Sequence, residues 1–404
     1  MIAAFTPVQA LDLEALTPDH AAIRCEPVIT PEGLASLAPE WAALAAAHGE
    51  GLPFRTFEWA ESWWRWFNER RLGIRDTLAM QAFRTADGRL VGVAPLIAVK
   101  RFGYGPAIVR SLEFLGSDPY VTEVRGPLVD PAYEGAIYRA LRAGLARSAR
   151  SWDWIGWRGV PAGGPAAQLL AERGVALPGQ VTGYTLTLDG DWESFKSTRP
   201  RNLKESLRKC YNSLKRDDLT FALDVARTPA DVKEGLTRFL AFHRQRATAD
   251  GLRMHGDVFA DPASQGFLYE VCDRLARRDA VRVFQLRLGD TYAASRVAFA
   301  LGDTLYLYFS GYDTAWARYS VMTTTVAEAI RYAYAQGFRR VHLSTGTDES
   351  KLRWRPEAST WLEGMECGAG PRAATARWLS QRLNEPSSRV QRAVRVLLGR
   401  RRRG

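Results

Sequence analysis

The sequence predicts an α+β protein of two similar halves, each a mixed, mostly antiparallel sheet flanked by helices. Three observations predict it. An order of helix, three antiparallel strands, crossover helix and strand reads twice along the chain, offset by roughly 190–210 residues. Asp87-Gly88 in the first half, and Gly289-Asp290 and Gly302-Asp303 in the second, are hairpin turn signals that fix the antiparallel pairs. Leu305 to Trp354 then reads as strand, basic loop, helix, strand and polar turn. A crossover of that length is right-handed and makes its two strands parallel, so the sheet is mixed.

Residues 1–26 lack periodicity and are expected to form a flexible leader. Pro31 to His48 reads as one Ala-rich helix around Trp41. Thr56 can cap a helix that sets Trp59, Trp63, Trp66 and Phe67 on one face, a spacing that suits a core stripe. Thr77 to Arg84, Leu90 to Lys100 and Ile108 to Leu115 read as strands. Pro131 opens a helix at its favoured first position, running to about Ala149. Trp152 to Trp157 is a further strand. Together 27–190 form the first domain.

A basic helix spans 191–218. Leu203, Leu207, Cys210 or Tyr211, and Leu214 form its apolar stripe, while Lys204, Arg208 and Lys215 share another face. That face suits solvent, an anionic substrate, a tRNA or the other half. The second domain, 219–370, holds helices from Asp231 to about Asp250 and from Pro262 to Arg278. Its strands are Val281 to Leu288, Tyr292 to Leu301 and Leu305 to Tyr312. Leu305 to Phe309 carries no charge, as in a strand buried on both faces. Ser320 is a candidate N-cap for the next helix, Gly337 its C′ stop, and Val341 to Leu343 the final strand.

The chain has 404 residues, 46% hydrophobic and 25% charged, ordinary for a globular protein. No apolar run approaches the ~20 residues that span a bilayer, and no secretory signal is evident. Cys25, Cys210, Cys272 and Cys367 lie far apart, as free thiols in a reducing compartment do; with five scattered histidines, no metal site is expected. The net charge of +11 sits in two segments. Pro371 to Gly404 carries ten Arg against Glu385, and Lys196 to Arg216 carries eight Lys or Arg against Glu205. The remainder is therefore mildly acidic, and a whole-chain argument for nucleic acid fails. Trp378, Leu379, Leu383, Val390, Val394 and Leu397 among the tail arginines suit either an amphipathic helix on an anionic membrane face or a flexible basic tail.

In the βαβ unit, the helix N-terminus faces the carboxyl end of the preceding strand. That geometry binds phosphates, and Arg318 adds a positive charge; it also suits a plain connection with a surface Arg.

Three antiparallel strands followed by strand, basic loop, helix and strand resemble the GNAT acyltransferase superfamily. The doubled layout is similar to FemAB/FemX double-GNAT proteins. Phe309 to Trp354, FSGYDTAWARYSVMTTTVAEAIRYAYAQGFRRVHLSTGTDESKLRW, resembles the BioF2-like or CelD (cellulose biosynthesis) acetyltransferases, supported by FLAFHRQRA at Phe239 to Ala247 and SFKSTRPRNLKESLRK at Ser194 to Lys209. The resemblance implies tandem GNAT-like domains, the first degenerate, and transfer of an acetyl or other acyl group from acyl-CoA to an amine. It places the thioester between two splayed strands, at Phe309, Ser310 and Gly311, and the pyrophosphate at Arg318, Tyr319, Ser320, Val321, Met322, Thr323 and Thr324. Relatives commonly show Ser-Pro-Gly where this chain has Ser320-Val321-Met322, and without that Gly the backbone approaches a phosphate less freely.

The chemistry asks for an oxyanion donor, an acid and a base. Tyr312 is the candidate acid; Asp348, Glu349 and His243 are candidate bases. Lys351, Arg353 and Trp354 are candidates to hold the acceptor. That acceptor is expected to be a small-molecule or saccharide amine from polysaccharide or cell-envelope precursors. The location is expected to be cytoplasmic, or peripheral at the inner membrane through the tail. Two other readings remain: an aminoacyltransferase fed by aminoacyl-tRNA, and a non-catalytic scaffold.

Overall fold

A computed structural model describes residues 23–102, 108–117, 121–248 and 256–384. The first half runs β1 (Arg24–Val28), α1 (Pro31–Ser36), α2 (Ala38–His48), α3 (Phe57–Phe67), β2 (Arg70–Arg71), β3 (Ile74–Leu78), β4 (Met80–Arg84), β5 (Leu90–Ala94), β6 (Leu96–Phe102), β7 (Ile108–Phe114), β8 (Leu128–Val129), α4 (Glu134–Arg147), β9 (Trp154–Pro161), α5 (Pro165–Glu172) and β10 (Gly179–Thr187). The second half runs α6 (Trp192–Thr198), α7 (Arg201–Arg216), β11 (Phe221–Ala226), α8 (Pro229–Thr248), α9 (Pro262–Ala276), β12 (Val281–Leu288), β13 (Thr291–Leu301), β14 (Thr304–Tyr312), α10 (Val321–Ala335), β15 (Arg340–Thr345), α11 (Glu349–Leu352), β16 (Glu357–Cys367) and α12 (Pro371–Asn384).

Twelve strands form one continuous mixed sheet, in the order β11-β12-β13-β14-β15-β10-β16-β9-β7-β6-β3-β2. The βαβ units of both halves are present, for β7 runs parallel to β9 and β14 parallel to β15. The halves also exchange their last strands. β10 pairs with β15 of the second half, and β16 pairs with β9 of the first.

Several local expectations change for identifiable reasons. Pro31 to His48 is two helices, because Pro39 cannot continue a helical ladder and Leu37 turns the chain between them. The two hairpin strands break at Ala79 and at Pro95, which has no N–H for the ladder. Beyond the breaks, β4 and β5 join β1 and β8 in a separate four-stranded sheet. Arg24–Val28 pairs with β4, so a strand begins inside the expected leader. Ser320 is not a side-chain cap. It adopts a left-handed backbone, φ +53, and its carbonyl accepts the Thr323 and Thr324 N–H groups at 2.8 and 3.3 Å. Residues 1–22 of the leader and 385–404 of the tail, with Val390, Val394 and Leu397, lie outside the described residues.

Thr56 caps α3 as expected, accepting from the Trp59 N–H at 3.2 Å. Gly337, φ +77, ends α10. Both faces of β14 are buried at its start. Tyr306 and Tyr308 meet Phe54 and Trp59 beneath α3, α8 and α9, while Leu305 and Leu307 pack under α10. The apolar stripe of α7 (Leu203, Leu207, Cys210 and Leu214) is buried and its basic face is exposed. Tyr211 Oη donates to Glu328 Oε1 of α10 at 2.6 Å, fixing the two helices together.

Candidate active site

β14 and β15 pair at only three positions, Thr304–Arg340, Leu305–Val341 and Tyr306–His342, and then diverge. A bulge in each strand bends it at the fork. Ser310 opposes Arg296 but Leu307 opposes Ala298, so β14 carries one extra residue near Tyr308–Phe309. Thr345 opposes Gly183 but His342 opposes Thr185, so β15 carries one near Leu343–Ser344, where Ser344 takes φ +71.

The fork opens into a cavity of about 820 Å³. Phe309, Ser310 and Tyr312 line one side, Leu343, Ser344 and Thr345 the other, and Ser320–Thr323 at the start of α10 close the end. The expected acid and bases Tyr312, Asp348, Glu349 and His243 all border it, as do Lys351, Arg353 and Trp354.

Other expected residues do not face it. A Cβ at Gly311 would lie 2.5 Å from the His243 backbone nitrogen, so this glycine lets β14 meet α8. Tyr319 is buried, its hydroxyl donating to Asp217 Oδ2 at 2.7 Å and accepting from Arg318 Nη2 at 2.6 Å. That pins Arg318 against the end of α7. Thr324 is fully buried, off the cavity wall, on the face of α10 towards Cys210.

The charges are unevenly satisfied. Lys351 is paired, donating to the Thr345 carbonyl and lying 3.1 Å from Asp348. His243 Nδ1 lies 3.3 Å from the Ser310 carbonyl and its Nε2 lies 3.8 Å from Asp257. Arg353 sits at the N-terminus of α10, its Nη2 donating to Thr323 Oγ1 at 2.9 Å. Its Nε is buried without a hydrogen-bond partner, and no acid lies within ion-pair distance among the described residues. Burial lowers its pKa. A guanidinium beside the positive end of a helix is repelled there unless an anion joins them.

Sequence reasoning missed the floor of the fork. Glu123 reaches it from the first half. Its carboxylate accepts from Tyr306 Oη, from Ser344 Oγ at 2.7–2.8 Å and from the Thr345 N–H at 3.3 Å. The two residues before it are also held, Val121 by Tyr308 Oη and Thr122 by Trp59 Nε1 at 3.1 Å. Arg296 of β13 faces the same space and gives Nη2 to the Tyr308 carbonyl at 3.2 Å. Burial pushes its pKa down to about 10. Behind the fork, His342 stacks on Tyr306 at 4.4 Å, and its Nδ1 accepts from the Ser344 N–H at 3.0 Å. Burial, then the charges of Lys351 and Arg340, lower the His342 pKa to about 3, so the ring is neutral. Burial, followed by Glu123, raises the Tyr306 phenol well above its usual value.

Residues 201–352, most of the second half, match the family model described as an acetyltransferase (GNAT) domain. No curated protein matches as a sequence relative. Among solved structures, FemX shares the fold at 13% identity, with a TM-score of 0.55 over 80% of this chain and 95% of its own. A tandem GNAT protein from the clavulanic acid biosynthesis pathway aligns at 14% identity and TM-score 0.45, over 86% of this chain and 99% of its own. L-PGS from Bacillus licheniformis aligns at 11% and 0.45, over 85% and 96%.

Proposed function

We propose that this protein is an N-acyltransferase that takes its acyl group from acyl-CoA and binds that donor in the fork between β14 and β15. The observation that carries the reading is the fork itself, three paired positions and then a cavity, ending at a helix N-terminus beside a guanidinium that makes no ion pair among the described residues. The Ser320 carbonyl takes the Thr323 and Thr324 N–H groups, which leaves the Val321 and Met322 amides at the start of α10, and together with Arg353 these suit a diphosphate. The Arg353 Nε, buried and unbonded, fits such an anion. Val321 is buried, so only the Met322 side chain stands where a Gly would open the backbone.

In this reading 219–370, completed by β10, form the donor domain. The thioester lies along β14, where the bulge frees backbone amide groups near Phe309 to act as oxyanion donors. Tyr312, at the wide end of the fork, protonates the leaving thiolate. The amine nitrogen attacks, the C–N bond forms and the C–S bond breaks. The BioF2-like/CelD placement, with a polysaccharide or envelope acceptor and a membrane-associated tail, rests on sequence resemblance alone.

Isothermal titration with acetyl-CoA tests the donor. Binding is expected, and Arg353→Met should weaken it by about tenfold or more, the loss of one charge-assisted contact. No binding sinks the acyl-CoA reading. The exposed basic face of α7 favours a second donor, aminoacyl-tRNA. RNase-sensitive binding of charged tRNA with indifference to acetyl-CoA would support that donor, and silence towards both would support a scaffold.

A further inference from the structure

Beside the Lys351–Asp348 pair, the cavity holds charges of both signs that form no ion pair among the described residues, although the field of Glu123 reaches Arg296. Arg246 of α8 lies with its guanidinium 5.9 Å from the Tyr312 ring centroid. Arg296 keeps a buried Nε without a hydrogen-bond partner. Neither makes an ion pair among the described residues, and neither does Glu123, the acid at the floor. Arg353 and the α10 terminus serve the donor on one side. Arg296 stands on β13 and Arg246 on α8, and neither is among the groups assigned to the donor. Charges without an ion pair in a partly buried cavity carry a desolvation cost that a ligand of opposite charge offsets.

We infer that the acceptor is a primary amine that also bears an acidic group, its nitrogen received by Glu123 and its acid by Arg246 and Arg296. The inference rests on the acyl-transfer reading. Glu123 suits the amine because Oε2 is engaged by Tyr306 and Ser344, whereas Oε1 accepts from Ser344 Oγ alone, at 2.8 Å. Oε1 thus keeps a lone pair for an N–H donor. Its place is fixed by the Val121 and Thr122 contacts, so the first half supplies the acid at the floor of the fork. The ammonium gives one proton to Glu123, and its freed electron pair attacks the thioester carbon. The C–N bond forms as the C–S bond breaks. The second nitrogen proton ends on the thiol by way of Tyr312, and Glu123 returns its own to solvent.

Thiol release from acetyl-CoA, measured with matched acceptors, tests this. The pairs are taurine with ethylamine, O-phosphoethanolamine with ethanolamine, and glucosamine 6-phosphate with glucosamine. The acidic member of at least one pair should exceed its neutral partner in kcat/KM by about tenfold or more, as one charge-assisted contact gives. Arg246→Gln should erase that preference by raising KM for the acidic member while kcat holds. Glu123→Gln should lower kcat by about 100-fold with acetyl-CoA affinity unchanged, and Glu123→Asp should restore part of the rate. Equal use of both members, or no turnover of any acidic member by a protein that binds acetyl-CoA, overturns the inference and spares the donor reading. Loss of acetyl-CoA affinity in Glu123→Gln overturns the role of Glu123 and leaves it a structural wedge. Failure of the unaltered protein to bind acetyl-CoA removes the donor reading itself.

Discussion

At Ser344 the backbone takes a left-handed turn inside a strand, and the cost, roughly 1–3 kcal/mol for a non-glycine residue, is offset by bonds at both ends. The Ser344 N–H goes to His342 and its hydroxyl to Glu123. His342 is thereby buried as a neutral base. Its folded pKa, about 3, lies below the ordinary unfolded value near 6.5, so the unfolded chain binds the extra proton between those limits. His342 therefore withdraws no stability above pH ~6.5, and as pH falls it withdraws about 1.4 kcal/mol per unit until pH ~3. Urea unfolding at pH 7, 6, 5 and 4 should show a shallower loss for His342→Gln than for the unaltered protein. Parallel curves would show that His342 carries no such linkage. At this scale only the positions of Tyr312, Arg353 and the Ser320–Thr323 turn, on the wall of one cavity, were legible, because a strand end, a polar turn and a helix start are marked by local pattern. Glu123 was not. It lies in an irregular segment, where an acid has no spacing to distinguish it from a solvated one.

Among elements, the crossing of β14 and α8 depends on one position. Gly311 meets backbone, not the tip of a flexible side chain. A Cβ there would stand 2.5 Å from the His243 nitrogen and 2.8 Å from the Phe242 carbonyl carbon. Gly311→Ala should destabilise the protein by about 1–3 kcal/mol, the usual cost of overpacking, seen as a lower Tm. It should also tilt α8 and carry His243 and Arg246 away from the cavity. An unchanged Tm would mean the strand and helix separate freely. The sequence read the type of these elements well, since apolar periodicity and turn residues act over a few positions. It misplaced ends where one residue overrides the pattern, as Pro39 and Pro95 do. It assigned phosphate contact to the whole Arg318–Thr324 turn, yet Tyr319 and Thr324 pack inward, because a short turn on a helix must bury part of itself against α7.

The whole molecule is bound by strand exchange. β10, from before the basic helix, sits between β15 and β16, and β16 carries the ladder back to β9. Trp59 and Phe54 of the first half also pack edge-on against Tyr308 and Tyr306 of the second. A fragment of residues 191–370 would lack β10, leaving β15 and β16 with unpaired edges. It should fail to unfold cooperatively and should bind apolar dye, whereas the full chain should melt in one transition. A fragment with a sharp melt of its own would contradict this dependence. The sequence by itself determined the repeated α+β order, the hairpins, the parallel crossover and the place of the helix N-terminus, because periodicity, turn chemistry and caps act between neighbours in the chain. Only the tertiary structure decided which strands finish each half, how far β14 and β15 part, and which acid enters the fork. Those outcomes depend on edges and side chains more than a hundred residues apart, whose fit is set by packing and leaves no local mark.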